Sequence, residues 1–118
     1  GGVYYLHGQV DPHFEITLVI NSEKVKTILP NLKRRRLFIK EVDAAVIQSG
    51  SNQLKVVYQK RSGRWAKPIG PSFRVKLKYQ SDPMDKDSAK VLAQIRGPGQ
   101  PFTKLPKSGE LSEIFQAP

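Results

Sequence analysis

Cysteine is absent from this chain of 118 residues, which excludes disulfide bonds, thiolate metal ligands and cysteine nucleophiles. No apolar run approaches the roughly 20 residues that a membrane-spanning helix needs. Aromatic residues are few, with one Trp, four Tyr and five Phe. The hydrophobic content of 38% is still too high for a disordered chain, so we expect one domain with a single core.

The chain begins with Gly1 and Gly2 rather than with methionine, and this start does not resemble a signal peptide. We interpret them as a processed or cloned end, and we therefore expect flanking domains in a longer protein. A targeting signal would then lie outside this sequence. The lack of cysteine fits a cytosolic domain and an exported domain equally.

Positive charge is in large excess and is concentrated in one segment. Between Lys24 and Lys78 the chain has 15 of its 20 Lys and Arg residues, and the only acids there are Glu41 and Asp43. This segment carries +13 and the remainder carries −3, which gives the net charge of +10. A surplus of this kind predicts attraction to nucleic acid, acidic lipids, acidic polysaccharides or an acidic protein surface.

Alternating apolar residues predict β-strands along most of the chain up to Tyr79. The predicted strands are residues 3–6, 14–20, 24–29, 37–42, 53–60 and 72–80. We expect the last two to pair with each other. The residues expected in the core are Phe14, Ile16, Leu18, Leu54, Val56, Tyr58, Phe73, Val75 and Leu77.

The pattern changes after Pro83. Residues 85–95 are predicted to form one short C-terminal helix, because their acids come first and Val91, Leu92 and Ile95 share a helical face. Residues 1–96 would then be a basic β-sandwich with a terminal helix, and residues 97–118 a Pro/Gly-rich extension. This extension is either an interdomain linker or docked on the sandwich. We expect docking, through Val91, Leu92, Ile95, Leu111, Ile114 and Phe115.

The fold class predicted from these elements is mainly β. Short strands separated by turn signals favour a single antiparallel β-sandwich of about six to eight strands over a barrel. A βαβ arrangement is excluded, since no helix is predicted between the early strands.

Two groups of cations are candidate ligand-binding residues. The first is the run Lys33, Arg34, Arg35 and Arg36, whose charges repel one another and are not needed for folding. Such a run can bind phosphate or sulfate groups. The alternative is a solvated loop that keeps the protein soluble.

The second group surrounds the only tryptophan. Trp65 can stack on a base or a sugar ring while neighbouring arginines hold an anion, although a single Trp can equally cap the core. Cations of the predicted strand 72–80 would extend this surface if that strand pairs with strand 53–60. The candidates of this group are Lys60, Arg61, Arg64, Trp65, Arg74, Lys76 and Lys78.

Catalysis has little support in the sequence. His7 and His13, with Asp11 between them, could ligate a metal, but Pro12 interrupts the segment and there is no third imidazole or thiol. No nucleophile elbow and no phosphate-binding loop is present. We therefore predict no catalytic residues, no metal site, no cofactor and no enzyme activity.

Three segments resemble a pattern of jelly-roll and immunoglobulin-like β-sandwiches, including accessory domains of glycoside hydrolases. They are residues 20–25 (INSEKV), 42–44 (VDA) and 50–56 (GSNQLKV). The resemblance covers about a third of the chain and departs at Ser22, where the pattern has glycine. It implies a sandwich with a binding or structural role, but the ligand class does not carry over.

These observations lead to two functional hypotheses. The first is a non-catalytic binding or assembly module, within a larger exported or surface-associated protein, whose basic face binds an anionic polymer such as an acidic glycan, or an acidic protein surface. The second is a nucleic-acid-binding β-domain that uses the same face, with Trp65 or Tyr58 stacking on bases. Against the second, no recognition helix or RNP-like motif is present.

Overall fold

The computed structural model of the chain describes residues 1–30, 34–61, 72–98 and 104–118. The described residues form eight strands: β1 (Val3–Val10), β2 (Phe14–Ile20), β3 (Glu23–Ile28), β4 (Arg36–Val42), β5 (Ser51–Lys60), β6 (Phe73–Gln80), β7 (Ala89–Arg96) and β8 (Ser108–Gln116). The six strands predicted from the sequence correspond to β1 to β6.

The strands form two antiparallel four-stranded sheets that pack together. Sheet A has the order β4-β1-β6-β7, and sheet B has the order β3-β2-β5-β8. Among the described strands, β2–β3 and β6–β7 are consecutive neighbours in one sheet, while the other connections pass between the sheets. The prediction of a mainly β, antiparallel sandwich is confirmed.

The core lies between the sheets and is built by strict alternation along the strands. In β2 the residues Phe14, Ile16, Leu18 and Ile20 are fully buried, and the residues between them are half-buried on the outer face. All nine residues predicted for the core are buried. Burying each large side chain contributes about 1.5–3 kcal/mol before conformational entropy is subtracted.

An aromatic cluster joins the two sheets at one end of the core. The rings of Phe14 and Tyr58 belong to sheet B, and the ring of Phe73 belongs to sheet A. Their centroids are 5.8–6.1 Å apart, and Phe14 is edge-on to the other two. Pairs in this geometry add to the burial of their area.

The predicted pairing of strand 53–60 with strand 72–80 is wrong. They correspond to β5, which pairs with β2 and β8, and β6, which pairs with β1 and β7. The two strands therefore lie in opposite layers. Alternation shows which side of a strand is buried, but the same pattern suits a neighbour in the sheet and a partner across the core.

The predicted C-terminal helix over residues 85–95 is also wrong. These residues form one 3-10 turn, Lys86–Ser88, followed by β7. The side chain of Asp85 accepts a hydrogen bond of 2.9 Å from the backbone N–H of Asp87, so it caps this turn. A helix of three turns is marginal on its own, whereas β7 completes the hydrogen bonding of β6 and buries Ala93 and Ile95.

The last part of the chain belongs to sheet B over residues 108–116. There β8 pairs with β5 along nine residue positions, and Phe115 is buried. Of the six residues expected to dock this part, Ile95 and Phe115 are buried and Leu92 and Leu111 pack against the core. Val91 and Ile114 are exposed to 50% and 57% and lie outside it.

A network of two asparagines holds the opposite end of the sandwich. The turn between β2 and β3 has positive φ at Asn21 (50°) and Ser22 (69°), as a two-residue hairpin turn requires. The Asn21 amide donates to the carbonyl of Val46 and to the side chain of Asn52. Asn52, which is 2% exposed, also bonds the backbone of Gln48 and Gly50.

Candidate functional site

The outer surface of sheet A carries a compact set of cations. Because Phe73, Val75 and Leu77 of β6 point into the core, the alternate residues Arg74, Lys76 and Lys78 point outward. Arg74 pairs with Arg96 of β7, so a fourth cation lies beside Arg74. We call Arg74, Lys76, Lys78 and Arg96 the cationic face.

Strand β1 supplies polar and aromatic neighbours to this face. Its outward residues Gln9, His7 and Tyr5 lie opposite Arg74, Lys76 and Lys78 respectively. Two adjoining shallow depressions result. One is lined by His7, Gly8, Gln9, Leu37, Arg74, Lys76, Gln94 and Arg96, and the other by Tyr5, His7, Gly8, Leu37, Phe38, Ile39 and Lys78.

Two buried nitrogen atoms border these depressions without a hydrogen-bond partner among the described residues. They are Nε2 of His7 and Nε of Arg74. Buried polar atoms in folded proteins almost always have a partner, and an exception calls for an ordered water or a ligand. An anionic oxygen would satisfy the Arg74 N–H and would accept from a protonated His7.

The protonation of His7 responds to the same surroundings. Burial lowers the pKa of His7 below its usual value of 6.5, and the positive charges of Lys78 and then Lys76 lower this pKa further. At neutral pH the imidazole is therefore uncharged. A bound anion would offset both cations and raise the pKa of His7 again.

One cation on the outer face of sheet B has an acidic neighbour, which the cationic face lacks among the described residues. In sheet B, Lys55 of β5 faces Glu110 of β8 at 3.8 Å. Within the described part of the chain, none of the four residues of the cationic face forms such an ion pair. Like charges held side by side repel, so this face is suited to an anionic partner from outside.

The arginine run lies close to the cationic face. Arg34, Arg35 and Arg36 are exposed, and Arg36 begins β4 opposite Val10 of β1. Val10 pairs in turn with Phe73, which places Arg36 at the same end of sheet A as Arg74 and Arg96. Arg36 lies on the same side of β4 as the buried Phe38 and Val42, and it donates through Nη1 to the carbonyl of Leu29 at 3.3 Å. The run therefore adds positive charge at this end of sheet A, while Arg36 itself points away from the cationic face.

Lys60 and Arg61 lie apart from the cationic face, because β5 belongs to sheet B. Lys60 donates through Nζ to the carbonyl of Leu105 at 2.6 Å. Arg61 donates through Nη1 to the carbonyls of Pro12 and Pro30, at 3.0 and 2.7 Å. Both side chains thus hydrogen-bond to loops at the end of the sandwich where β5 ends. The other three sequence-predicted candidates, Lys33, Arg64 and Trp65, lie outside the described residues.

The residues considered for a metal site do not converge. Asp11 and His13 are buried in the turn after β1, where the Asp11 carboxylate contacts Nδ1 of His13 and accepts from its backbone N–H at 3.0 Å. His7 points outward from sheet A instead. The described residues contain no group of three potential metal ligands of the His, Cys, Asp or Glu type.

Sequence reasoning missed several residues of this surface. Arg96 was assigned to the end of a helix, and His7 was considered only as a metal ligand. A signal for Arg96 was available in the alternation of Ala93 and Ile95 with Gln94 and Arg96. No sequence signal could have placed His7 opposite Lys76, since this depends on the pairing of β1 with β6.

Comparisons with protein-family models, with curated proteins and with solved structures found no match. In the part of the chain that the structure describes, no helix has the length and apolar character to cross a membrane.

Proposed function

We propose that this chain is a non-catalytic binding or assembly module whose cationic face binds an anionic polymer, such as an acidic glycan, or an acidic protein surface. The observation that carries the proposal is the absence of ion pairs among the described neighbours of Arg74, Lys76, Lys78 and Arg96. The unpartnered nitrogens of His7 and Arg74 lie on the same surface and support it.

The spacing of the cations suits a chain of repeated anionic groups. Outward residues on one strand are about 6.6 Å apart, and neighbouring strands are about 4.8 Å apart. Sulfate, phosphate or carboxylate groups at such intervals can each make a charge-assisted hydrogen bond. Binding of this kind depends on several weak contacts together, so it weakens as salt concentration rises.

Nucleic acid is the second candidate ligand of the same face. Tyr5 lies opposite Lys78, and its ring centroid is 6.0 Å from that of His7. Both residues are half-buried. Rings that present a face among cations can stack on bases, and this observation favours a single strand over a duplex. The stacking that the sequence suggested for Tyr58 is wrong, because Tyr58 is buried in the core and belongs to sheet B. Trp65 lies outside the described residues.

Binding to three polyanions tests the proposal. Affinity for heparin, poly-glutamate and single-stranded DNA would be measured over a series of salt concentrations. We expect binding to heparin or poly-glutamate that weakens with salt, and binding to DNA alone would support the second candidate. Failure to bind any of them at low salt would contradict the proposal.

The contribution of the arginine run is tested separately. In the variant Arg34→Ala/Arg35→Ala/Arg36→Ala we expect earlier elution from a heparin column, because these exposed side chains lie at the same end of sheet A as Arg74. Unchanged retention would remove the run from the binding surface.

A further inference from the structure

Strand β4 forms an edge of sheet A and exposes apolar side chains there. Among the described strands it pairs with β1 alone, so its other side presents backbone groups without a neighbouring strand. On its outer face Leu37 is 74% exposed and Ile39 is 72% exposed. An edge strand with exposed apolar residues is a site where another strand can add.

The charges on and beside β4 are ordered along the chain. Arg34, Arg35 and Arg36 precede the apolar residues, and Glu41 and Asp43 follow them, with Lys40 between on the other side of the strand. If a second copy of β4 ran antiparallel to the first, the basic end of each strand would lie beside the acidic end of the other. The strand is thus complementary in charge to itself in the antiparallel direction.

We propose that this chain forms a two-fold symmetric dimer in which β4 pairs antiparallel with β4 of a second copy, centred on Ile39. In this register Ile39 lies opposite Ile39, Leu37 lies opposite Glu41, and Arg35 lies opposite Asp43. The two-fold axis makes the Leu37–Glu41 and Arg35–Asp43 contacts twice, whereas the Ile39 pair lies on the axis and occurs once. Each exposed apolar side chain then gains a cross-strand neighbour on the same face of the joined sheet.

A second copy fits this edge better than an unrelated acidic strand. An acidic strand would leave Glu41 and Asp43 facing like charge, whereas β4 itself offers both signs in the required order. The edge strand β8 lacks this property, since Glu110 and Glu113 are its only charged residues. Lys40 points to the other side of β4 and is exposed, so its ammonium group can remain in water.

The dimer would join two copies of sheet A into one eight-stranded sheet. Opposite residues of an antiparallel pair point to the same side, so both cationic faces would lie on one surface. The two β6 strands would be about 24 Å apart. This consequence rests on the proposed function, but the pairing itself rests on β4 alone, and its test involves no ligand.

Introducing a positive charge at the apolar contact of Ile39 with Ile39 tests the pairing. Molar mass would be measured by light scattering at physiological ionic strength for the protein, for Ile39→Lys and for Ile114→Lys. Ile114 is the matched control because it is 57% exposed on the outer face of another edge strand, β8. We expect a dimer for the protein and the control and a monomer for Ile39→Lys. A protein that is monomeric up to about 1 mM, or an equal effect of both substitutions, would overturn the proposal.

Single cysteines test the register, since the chain has no other cysteine. In Ile39→Cys the two thiols would lie opposite each other, so oxidation should give a disulfide-linked dimer. In Leu37→Cys they would be four positions apart and should not react efficiently. Equal crosslinking of the two variants would overturn the proposed register and, with it, the self-complementary pairing.

Discussion

Gly8 shows at the scale of one residue how β1 is held against β6. A Cβ atom at this position would overlap the backbone carbonyl oxygen of Arg74. A backbone atom of a central strand cannot move away without breaking the pairing of β1 with β6. Glycine is therefore required here, and it fixes the strand that carries the cationic face.

We expect Gly8→Ala to lower the free energy of unfolding by roughly 3 kcal/mol, because the added methyl group overlaps the neighbouring backbone. Gly109→Ala is a useful comparison, since its Cβ would lie 2.5 Å from the hydroxyl group of Tyr58, a side chain rather than backbone. Gly109→Ala should therefore lower the free energy of unfolding by less than Gly8→Ala. Chemical denaturation measures both, and a larger loss in Gly109→Ala would contradict this account.

His7 makes stability depend on pH. Burial, Lys78 and Lys76 lower the pKa of His7 in the folded protein, so the unfolded chain binds more protons just below pH 6.5. The stability of the folded protein should therefore decline as the pH falls below about 6.5. We expect a smaller decline in melting temperature for His7→Gln over this range. Coincident profiles for the two proteins would contradict the assignment, since His13 is common to both.

At the scale of elements, the end of the sandwich away from the aromatic cluster depends on one buried side chain. Asn52 lies at the start of β5 and bonds Asn21 of the β2–β3 turn and the backbone of the segment before β5. Its amide thus joins elements that are distant in the sequence. In the sequence Asn52 belongs to the segment 50–56 that resembles a sandwich pattern, and its side-chain hydrogen bonds become visible only in the structure.

We expect Asn52→Ala to destabilise the protein by roughly 2–4 kcal/mol, because it removes the four hydrogen bonds of a buried amide. The exposed neighbour Gln53→Ala is the matched control and should change stability by less than about 0.5 kcal/mol. Thermal unfolding would compare the two. A loss below about 1 kcal/mol for Asn52→Ala would show that the network contributes little.

The first six strands could be predicted because their alternation leaves one face apolar, as Phe14 to Ile20 illustrates. Strand β7 could not, since Val91, Leu92 and Ile95 fit a helix as well as a strand, and the free edge of β6 decided between them. The cations of β6 were predicted on one face, but their neighbours Arg96 and His7 were not. Those positions follow from strand order, which local pattern does not determine.

At the scale of the whole molecule, we expect polyanion binding to depend on where the positive charge lies rather than on the net charge. The chain carries +10, and this alone attracts polyanions weakly and without a defined site. The cationic face adds a location, because four cations share one side of sheet A without ion pairs among the described residues. If net charge causes binding, removing cations anywhere should weaken it equally. If the cationic face causes binding, only removal of its own cations should weaken it strongly.

The decisive measurement compares two variants of equal net charge. Arg74→Gln/Lys76→Gln/Lys78→Gln removes charge from the cationic face, and Lys24→Gln/Lys86→Gln/Lys90→Gln removes the same charge from exposed positions elsewhere. We expect the first to bind heparin about 10- to 100-fold more weakly, with a flatter dependence on salt, and the second to remain close to the unmodified protein. Equal losses in both variants would contradict the central claim, because binding would then follow net charge and not this face.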